Sequence, residues 1–217
     1  MSLKICCISD THMHHKKMIM PKTDMIIHAG DFTYRGEFDE VKKFLTWYGE
    51  QQAKHKLLIC GNHEVGISKQ PFDLLKTMCE NEGIQLLCNS HTTIEGIKIY
   101  GSPYSNKFGH GWAYNATEEL LAQMYAHIDP DVDVIVTHGP AKNRLDWCPG
   151  GNVGSQSLAD WIDAVPWKLK LHITAHIHES RGVAIHKTNT YNYVTVNASI
   201  CGIPYTDIVI NPVTIVL

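Results

Sequence analysis

Five times along this chain a short apolar run ends abruptly in Asp, Asn or His. LKICCIS (residues 3–9) gives way to Asp10-Thr11-His12, and DMIIHAG (24–30) to Asp31. KLLICGN (56–62) closes on Asn62 and leads into His63-Glu64. DVDVIVT (131–137) meets His138-Gly139-Pro140, and the run KLKLHIT meets Ala175-His176-Ile177-His178. Runs of this length and character read as buried β-strands. A polar tip on a buried strand is unfavourable unless something pairs with it. The strand-to-loop junctions of an α/β sheet are where such folds place their chemistry.

The segments between these runs complete the fold class. Residues 37–55 carry Phe38, Val41, Phe44, Leu45 and Tyr48 at helical spacing. Residues 71–83 form a second expected helix, with Pro71 in its first turn and Gly83 just past its end. IQLLCNS (84–90) reads as a strand, and HTTIEGIKIYG (91–101) as a hairpin turned at Glu95-Gly96. A loop rich in Gly, Ser and aromatics spans 102–116, before a helix at about 117–128 capped by Asn115 or Thr117. The Gly-rich CPGGNVGS (148–155) precedes a helix at 156–165. KLKLHITA, YNYVTVN and IVINPVTIVL supply three further strands. Strand and helix alternate early, whereas the middle and end are strand-rich. That pattern predicts an α/β fold with mixed sheets. With no repeat, low-complexity tract or linker, residues 1–217 read as a single domain.

Composition narrows the function classes. The net charge is -3 and no stretch gathers lysines and arginines, so no long nucleic-acid partner is expected. The apolar run in MSLKICCISD is too short for a signal peptide or a membrane span, so no membrane association is expected. Seven cysteines show no CxxC pairing, and Cys6, Cys7 and Cys60 sit inside apolar runs. Reduced core thiols in a cytoplasmic protein account for them.

Carboxylate, imidazole and amide oxygen at the strand ends are the ligand types of a mixed N/O site for two divalent ions. No cysteine joins them, which disfavours a structural zinc knot. Two ions about 3.5–4 Å apart suit in-line attack on phosphorus. One carboxylate must bridge such a pair, and Asp31 is the candidate.

In order, D-x-H, G-D, G-N-H-E, H-G-P and H-x-H resemble the motifs of the calcineurin-like metallophosphoesterase superfamily. They run from Asp10 to His178, nearly the whole chain. The resemblance implies a four-layer α/β/β/α sandwich, two mixed sheets flanked by helices. It implies that Asp10, His12, Asp31 and His178 hold one metal, and Asp31, Asn62, His138 and His176 the other. It also implies that His63 stays off the metals and serves the leaving oxygen as general acid. The pair of divalent ions would be Mn first, with Fe, Zn, Ni or Mg as alternatives.

GDFTYRG and GNHE also resemble Ser/Thr protein phosphatases, but Tyr34 and Cys60 replace an Asp and a phosphate-binding Arg of that pattern. GSPY, WAYN, THGPAKNRLDW and VNAS are instead similar to the small metallophosphoesterase-domain proteins and class III cyclic-nucleotide phosphodiesterases. The implied activity is hydrolysis of a small phosphodiester, cyclic nucleotides included, by a metal-bridging hydroxide. A phosphomonoesterase, a nuclease and a metal-binding interaction scaffold are the alternatives. Arg35, Tyr104 and Trp112, with Asn62 and His63, are the candidate substrate contacts. Ala175 stands where the superfamily usually has Gly. If that Gly serves a positive φ or close approach, the metal on His176 should bind more weakly here.

The remaining polar residues read blandly. His14 and His15 are expected to be exposed and His28 to be a hydrogen-bonded core histidine. Arg144 and Asp146 read as a loop ion pair, and Gly150, Gly151 and Gly154 as a flexible turn.

Overall fold

The computed structural model describes residues 2–164, 169–188, 191–205, 207–208 and 211–217. Position 165 of the expected helix at 156–165, position 168 of the strand at 168–175 and positions 209 and 210 of the terminal strand lie outside these residues. In chain order the elements are β1 Lys4–Ile8, β2 Met25–Ala29, α1 Phe38–Gly49, β3 His55–Ile59, α2 Phe72–Asn81, β4 Gln85–Leu86, β5 Ser90–Ile94 and β6 Ile97–Ser102. There follow β7 Ser105–Asn106, β8 Asn115–Ala116, α3 Glu118–Tyr125, β9 Val134–Thr137, β10 Trp147–Cys148 and β11 Gly151–Asn152. The chain ends with α4 Gln156–Ala164, β12 Leu171–Thr174, β13 Gly182–Lys187, β14 Asn192–Asn197 and β15 Val213–Val216.

Two mixed sheets carry the architecture. One has the order β15-β1-β2-β3-β4, the other β13-β14-β12-β9-β6-β5. In the first, β1 to β4 run parallel and β15 closes one edge antiparallel to β1. In the second, β6, β9, β12 and β14 run parallel between antiparallel edges.

Alternation along each strand sorts side chains to opposite faces, and this builds four layers. Ile5, Cys7, Met25, Ile27, Leu57 and Ile59 meet Ile99, Val134, Val136, Leu171 and Ile173 in the core between the sheets. Their neighbours Cys6, Ile8, Ile26 and Leu58 face the other way, onto Val41, Phe44, Leu45 and Tyr48 of α1 and Leu75 and Cys79 of α2. On the far side, Tyr100, Ile135 and Tyr193 pack against Leu121 and Tyr125 of α3 and Leu158 and Ile162 of α4. The fold is therefore an α/β/β/α sandwich. No helix among the described residues is long and apolar enough to cross a membrane.

Several local expectations change. Helix α1 stops at Gly49, six residues before the expected end, and a turn leads into β3. Of the run 84–90, Gln85–Leu86 pairs as β4 and Ser90 already begins β5, with Asn89, at φ 45°, in the turn before it. The hairpin does turn at Glu95-Gly96, with φ of 50° and 80° and Ile94 opposite Ile97. Thr117, not Asn115, occupies the N-cap of α3. Strand β13 was not expected: as an edge strand its exposed and half-buried residues alternate without an apolar face.

His28 is a buried core histidine, as expected, 3.1 Å from Thr11 Oγ1. His15 is buried too, against expectation, because Phe44 and Trp47 close over it at 5.4 and 4.9 Å. His14 is half-buried and lies 2.8 Å from the Tyr34 hydroxyl. Arg144 pairs with Asp163 across to α4 rather than with Asp146, which accepts from Gly154 N at 2.9 Å. That bond commits the Gly154 amide, and Gly151 lies in the two-residue strand β11 of a small hairpin.

Candidate metal centre

All five strand ends singled out in the sequence open on one edge. The parallel strands β1, β2, β3, β9 and β12 point their C-terminal ends there, and backbone bonds stitch the following loops together. Asp10 N donates to Gly30 O at 2.9 Å and His12 N to Asp31 O at 3.2 Å. Ala175 N donates to His138 O at 3.1 Å. His176 N donates to Asp10 Oδ2 at 3.2 Å and so ties the two sheets together across the site.

Two carboxylates, Asp10 and Asp31, are 0% and 2% exposed at the centre of this cluster. Asp10 groups with His12 and His178, and Asp31 with His138 and His176; a further grouping joins Asp31 to His12 and His63. Within each set the candidate ligand atoms all lie within 4.8 Å of one another. Asp31 thus reaches both halves, as a bridging carboxylate must. Asn62 Oδ1 lies 2.9 Å from His138 Nε2, which is 3.3 Å from Asp31 Oδ2. All seven ligand candidates are brought together.

The imidazoles are oriented from behind. His138 Nδ1 lies 2.9 Å from Ala29 O, His178 Nδ1 2.7 Å from Cys201 O and His12 Nδ1 3.4 Å from Thr33 O. A carbonyl accepts only, so each Nδ1 carries the proton and each Nε2 is left to face the carboxylates. This is how ligating histidines are set for a metal. His12 Nε2 and Asp10 Oδ1 are buried with no hydrogen-bond partner, although His178 Nε2 approaches Asp10 Oδ1 to 3.1 Å. Orphaned, convergent donor atoms of N/O type fit a pair of divalent cations.

The electrostatics agree. Burial alone would raise the Asp10 carboxyl, but His178, His138 and His12 outweigh it and hold it well below the usual range. Asp31 is lowered in the same way, against burial, chiefly by His138. Burial would lower His138, yet Asp31 beside it raises the imidazole to about 9. His178 is raised too, against burial, chiefly by Asp10, whereas burial lowers His12 and His176 to about 4. The two buried carboxylates thus hold positive charge beside them, which a cation would supply.

Backbone geometry marks the same place. Asp10, His12, Asp31 and His176 all have left-handed φ, at 50°, 38°, 56° and 68°. Such conformations in non-glycine residues cost about 1–3 kcal/mol each and persist where the surroundings hold them. Gly30 has φ 99°, and a Cβ there would lie 2.6 Å from both Cys60 O and His138 Nδ1. The G-D motif needs its glycine so that the β2 end can touch the His138 ring. Ala175 is not left-handed, and its methyl packs in the core between the sheets. A positive φ is therefore not what this position requires.

Glu64 closes the G-N-H-E motif. It is fully buried and accepts four hydrogen bonds, from Gly61 N (2.6 Å), Asp31 N (3.0 Å), Thr33 N (3.0 Å) and Thr33 Oγ1 (2.8 Å). It locks the Asp31 loop to the Asn62-His63 loop. His63 lies above them: its N donates to Asp31 Oδ1 at 2.8 Å, its Nδ1 is 2.9 Å from Tyr34 O, and its Nε2 is 4.0 Å from Asp31 Oδ2.

Of the candidate substrate contacts, Trp112 packs on His63 with ring centroids 4.7 Å apart, and the Arg35 guanidinium lies 5.0 Å over Trp112. Tyr104 does not join them. Its ring packs on Tyr114 and the outer core beneath α3 and α4. Two contributors carried no sequence signal. Tyr205 packs tilted against His178 at 4.6 Å and His12 at 4.8 Å, and Phe108 against His176 at 4.9 Å.

A family model described as calcineurin-like phosphoesterase matches residues 3–180. Human metallophosphoesterase domain-containing protein 1 is 37% identical over 225 residues, covering 93% of this chain and 67% of that protein. A UPF0046 protein of Caenorhabditis elegans, K07C11.7, is 31% identical over 210 residues, covering 92% of this chain and 70% of its own length. Among solved structures, phosphopantetheinyl hydrolase from Mycobacterium tuberculosis superposes with a TM-score of 0.57 at 17% identity. The match covers 89% of each chain, a likeness of fold.

Proposed function

The chain belongs to the calcineurin-like phosphoesterase family, and from that premise we propose that it is a metal-dependent hydrolase of small phosphodiesters. The observation that carries the reading is the shared carboxylate: Asp31 stands within ligand reach of both histidine groups. Asp10, His12, Asp31 and His178 would hold one divalent cation, and Asp31, Asn62, His138 and His176 the other. When bound, two such cations neutralise phosphoryl charge and make a water acidic enough to attack phosphorus at neutral pH.

The protein's own groups supply the rest. His63 keeps one proton on Nδ1, pinned to Tyr34 O. In its doubly protonated form Nε2 gives the second proton to the departing alkoxide as the P–O bond breaks. Glu64 fixes the loop from which Asn62 and His63 project. Arg35 and Trp112 stand beside His63 and contact the substrate's ester arm.

A diester is favoured over a monoester by what lines the β3 end. Cys60, where the resembling Ser/Thr protein phosphatases carry a phosphate-binding Arg, is buried in the core beneath α1 and α2, so this position supplies no guanidinium clamp for a phosphate dianion. The test is to strip the protein with chelator, restore Mn²⁺ and follow bis-p-nitrophenyl phosphate against p-nitrophenyl phosphate. Metal-restored turnover of the diester with little of the monoester is the expected result. Preference for the monoester, or metal bound without turnover of either, overturns the reading.

A further inference from the structure

Beside the candidate metal centre lies a cavity of about 460 Å³ whose lining is chiefly apolar. Its walls include Phe108, Pro140, Cys148, Val153, Ile177 and the side of His176. Its floor comes from the strand ends that deliver His138 and His176. One wall is the short loop after β7, and the other is the β10–β11 hairpin, the Gly-rich stretch that no expected function had claimed. The cavity is large enough for a small organic group.

The two flanks of the site differ. On the His12 and His178 side, the Tyr205 ring covers the imidazoles at 4.8 and 4.6 Å. On the His176 side, Phe108 stands 4.9 Å from the imidazole and 6.0 Å from Trp112, and the space beyond is open and apolar. His63 and Trp112, which serve the leaving oxygen in the reading above, do not line this space.

We propose that this cavity is the subsite for the organic group retained on phosphorus, and that it takes a flat, aryl-sized apolar group. The proposal rests on the phosphodiesterase reading, and the experiment separates the two. A phenyl group in the cavity would be sandwiched by Phe108 and the aliphatic wall of Val153 and Ile177. A methyl group would leave most of that surface wet.

The substrates are methyl and phenyl p-nitrophenyl phosphate, which share one leaving group. In the Mn²⁺-loaded protein kcat/KM for the phenyl ester should exceed that for the methyl ester by about tenfold, from the apolar area covered. Phe108→Ala, which removes a wall, and Val153→Trp, which fills the space, should each bring the ratio near one. A ratio that neither variant changes overturns the subsite while leaving the hydrolase reading intact. An independent readout needs no turnover. Cys148 is half-buried in the cavity wall and can be alkylated in a Cys88→Ser background. Phenylphosphonate at ten times its dissociation constant should slow that alkylation about tenfold, and methylphosphonate at the same concentration should not. Protection without hydrolysis of either ester keeps the subsite and removes the catalytic reading. No protection and no hydrolysis removes both.

Discussion

Replacing Glu64 by Gln isolates what one buried carboxylate does for the site. Asp31 N and Gly61 N bond to Oε2, and Thr33 N and Thr33 Oγ1 to Oε1. An amide keeps one oxygen and turns its NH₂ onto the other pair of donors. The better orientation places NH₂ at Thr33, where the hydroxyl can turn to accept but the Thr33 amide is stranded. One buried N–H without a partner costs about 1–3 kcal/mol. Above about pH 8, the value to which burial and the nearby Asp31 raise Glu64 against the pull of its donors, some relief comes from removing a buried charge. The expected net loss is about 1–2 kcal/mol, a fall in Tm of about 2–8 °C for a chain of this length. Because the lost bonds position Asp31 and Asn62, Mn²⁺ affinity should fall about 10–100-fold as well. Circular-dichroism melts in chelator give the first quantity and titration calorimetry the second. Unchanged Tm together with unchanged Mn²⁺ affinity would refute the claim that Glu64 holds the two loops in register.

His63→Ala should lower turnover of the diester by about 10²–10⁴ while both cations still bind, read by steady-state kinetics and metal analysis; loss of metal would instead make His63 a ligand. Ala175→Gly should leave the affinity for both cations unchanged, because the Ala175 backbone is not left-handed. It should destabilise the protein by about 0.5–1 kcal/mol through added chain freedom, read by urea titration. Stability in chelator should fall as pH rises from 6.5 towards 9. His138, raised from 6.5 to about 9 in the folded state, contributes fully below the first value and loses that contribution through the second. A flat urea midpoint across that window would contradict the charge balance drawn for the site.

The cluster itself was legible before any coordinates. Ligand chemistry is a property of residue type, and the apolar run that makes a buried strand is contiguous in sequence. A polar residue just past such a run therefore declares both its chemistry and its place at a strand end. The four layers were expected from the family resemblance, and strand alternation then fixed which face each of Ile5, Cys6, Cys7 and Ile8 takes. The His63 assignment also came from that resemblance, since nothing local separates a ligand histidine from one that stands beside the metals.

Tertiary structure decided what depends on distant partners. His15 looks solvated among lysines until Phe44 and Trp47 arrive from α1 to bury it. Tyr104 sits in an aromatic loop that suggests substrate, yet packing on Tyr114 turns it into the outer core. Glu64 acquires its role only where the backbones of Asp31, Thr33 and Gly61 converge on it. Tyr205 reaches His12 across more than 190 residues of chain. Sequence fixes what a side chain can bond to within its own strand or turn. Which donors, rings and cavities surround it depends on contacts between segments far apart in the chain, and only the folded arrangement of the two sheets sets those.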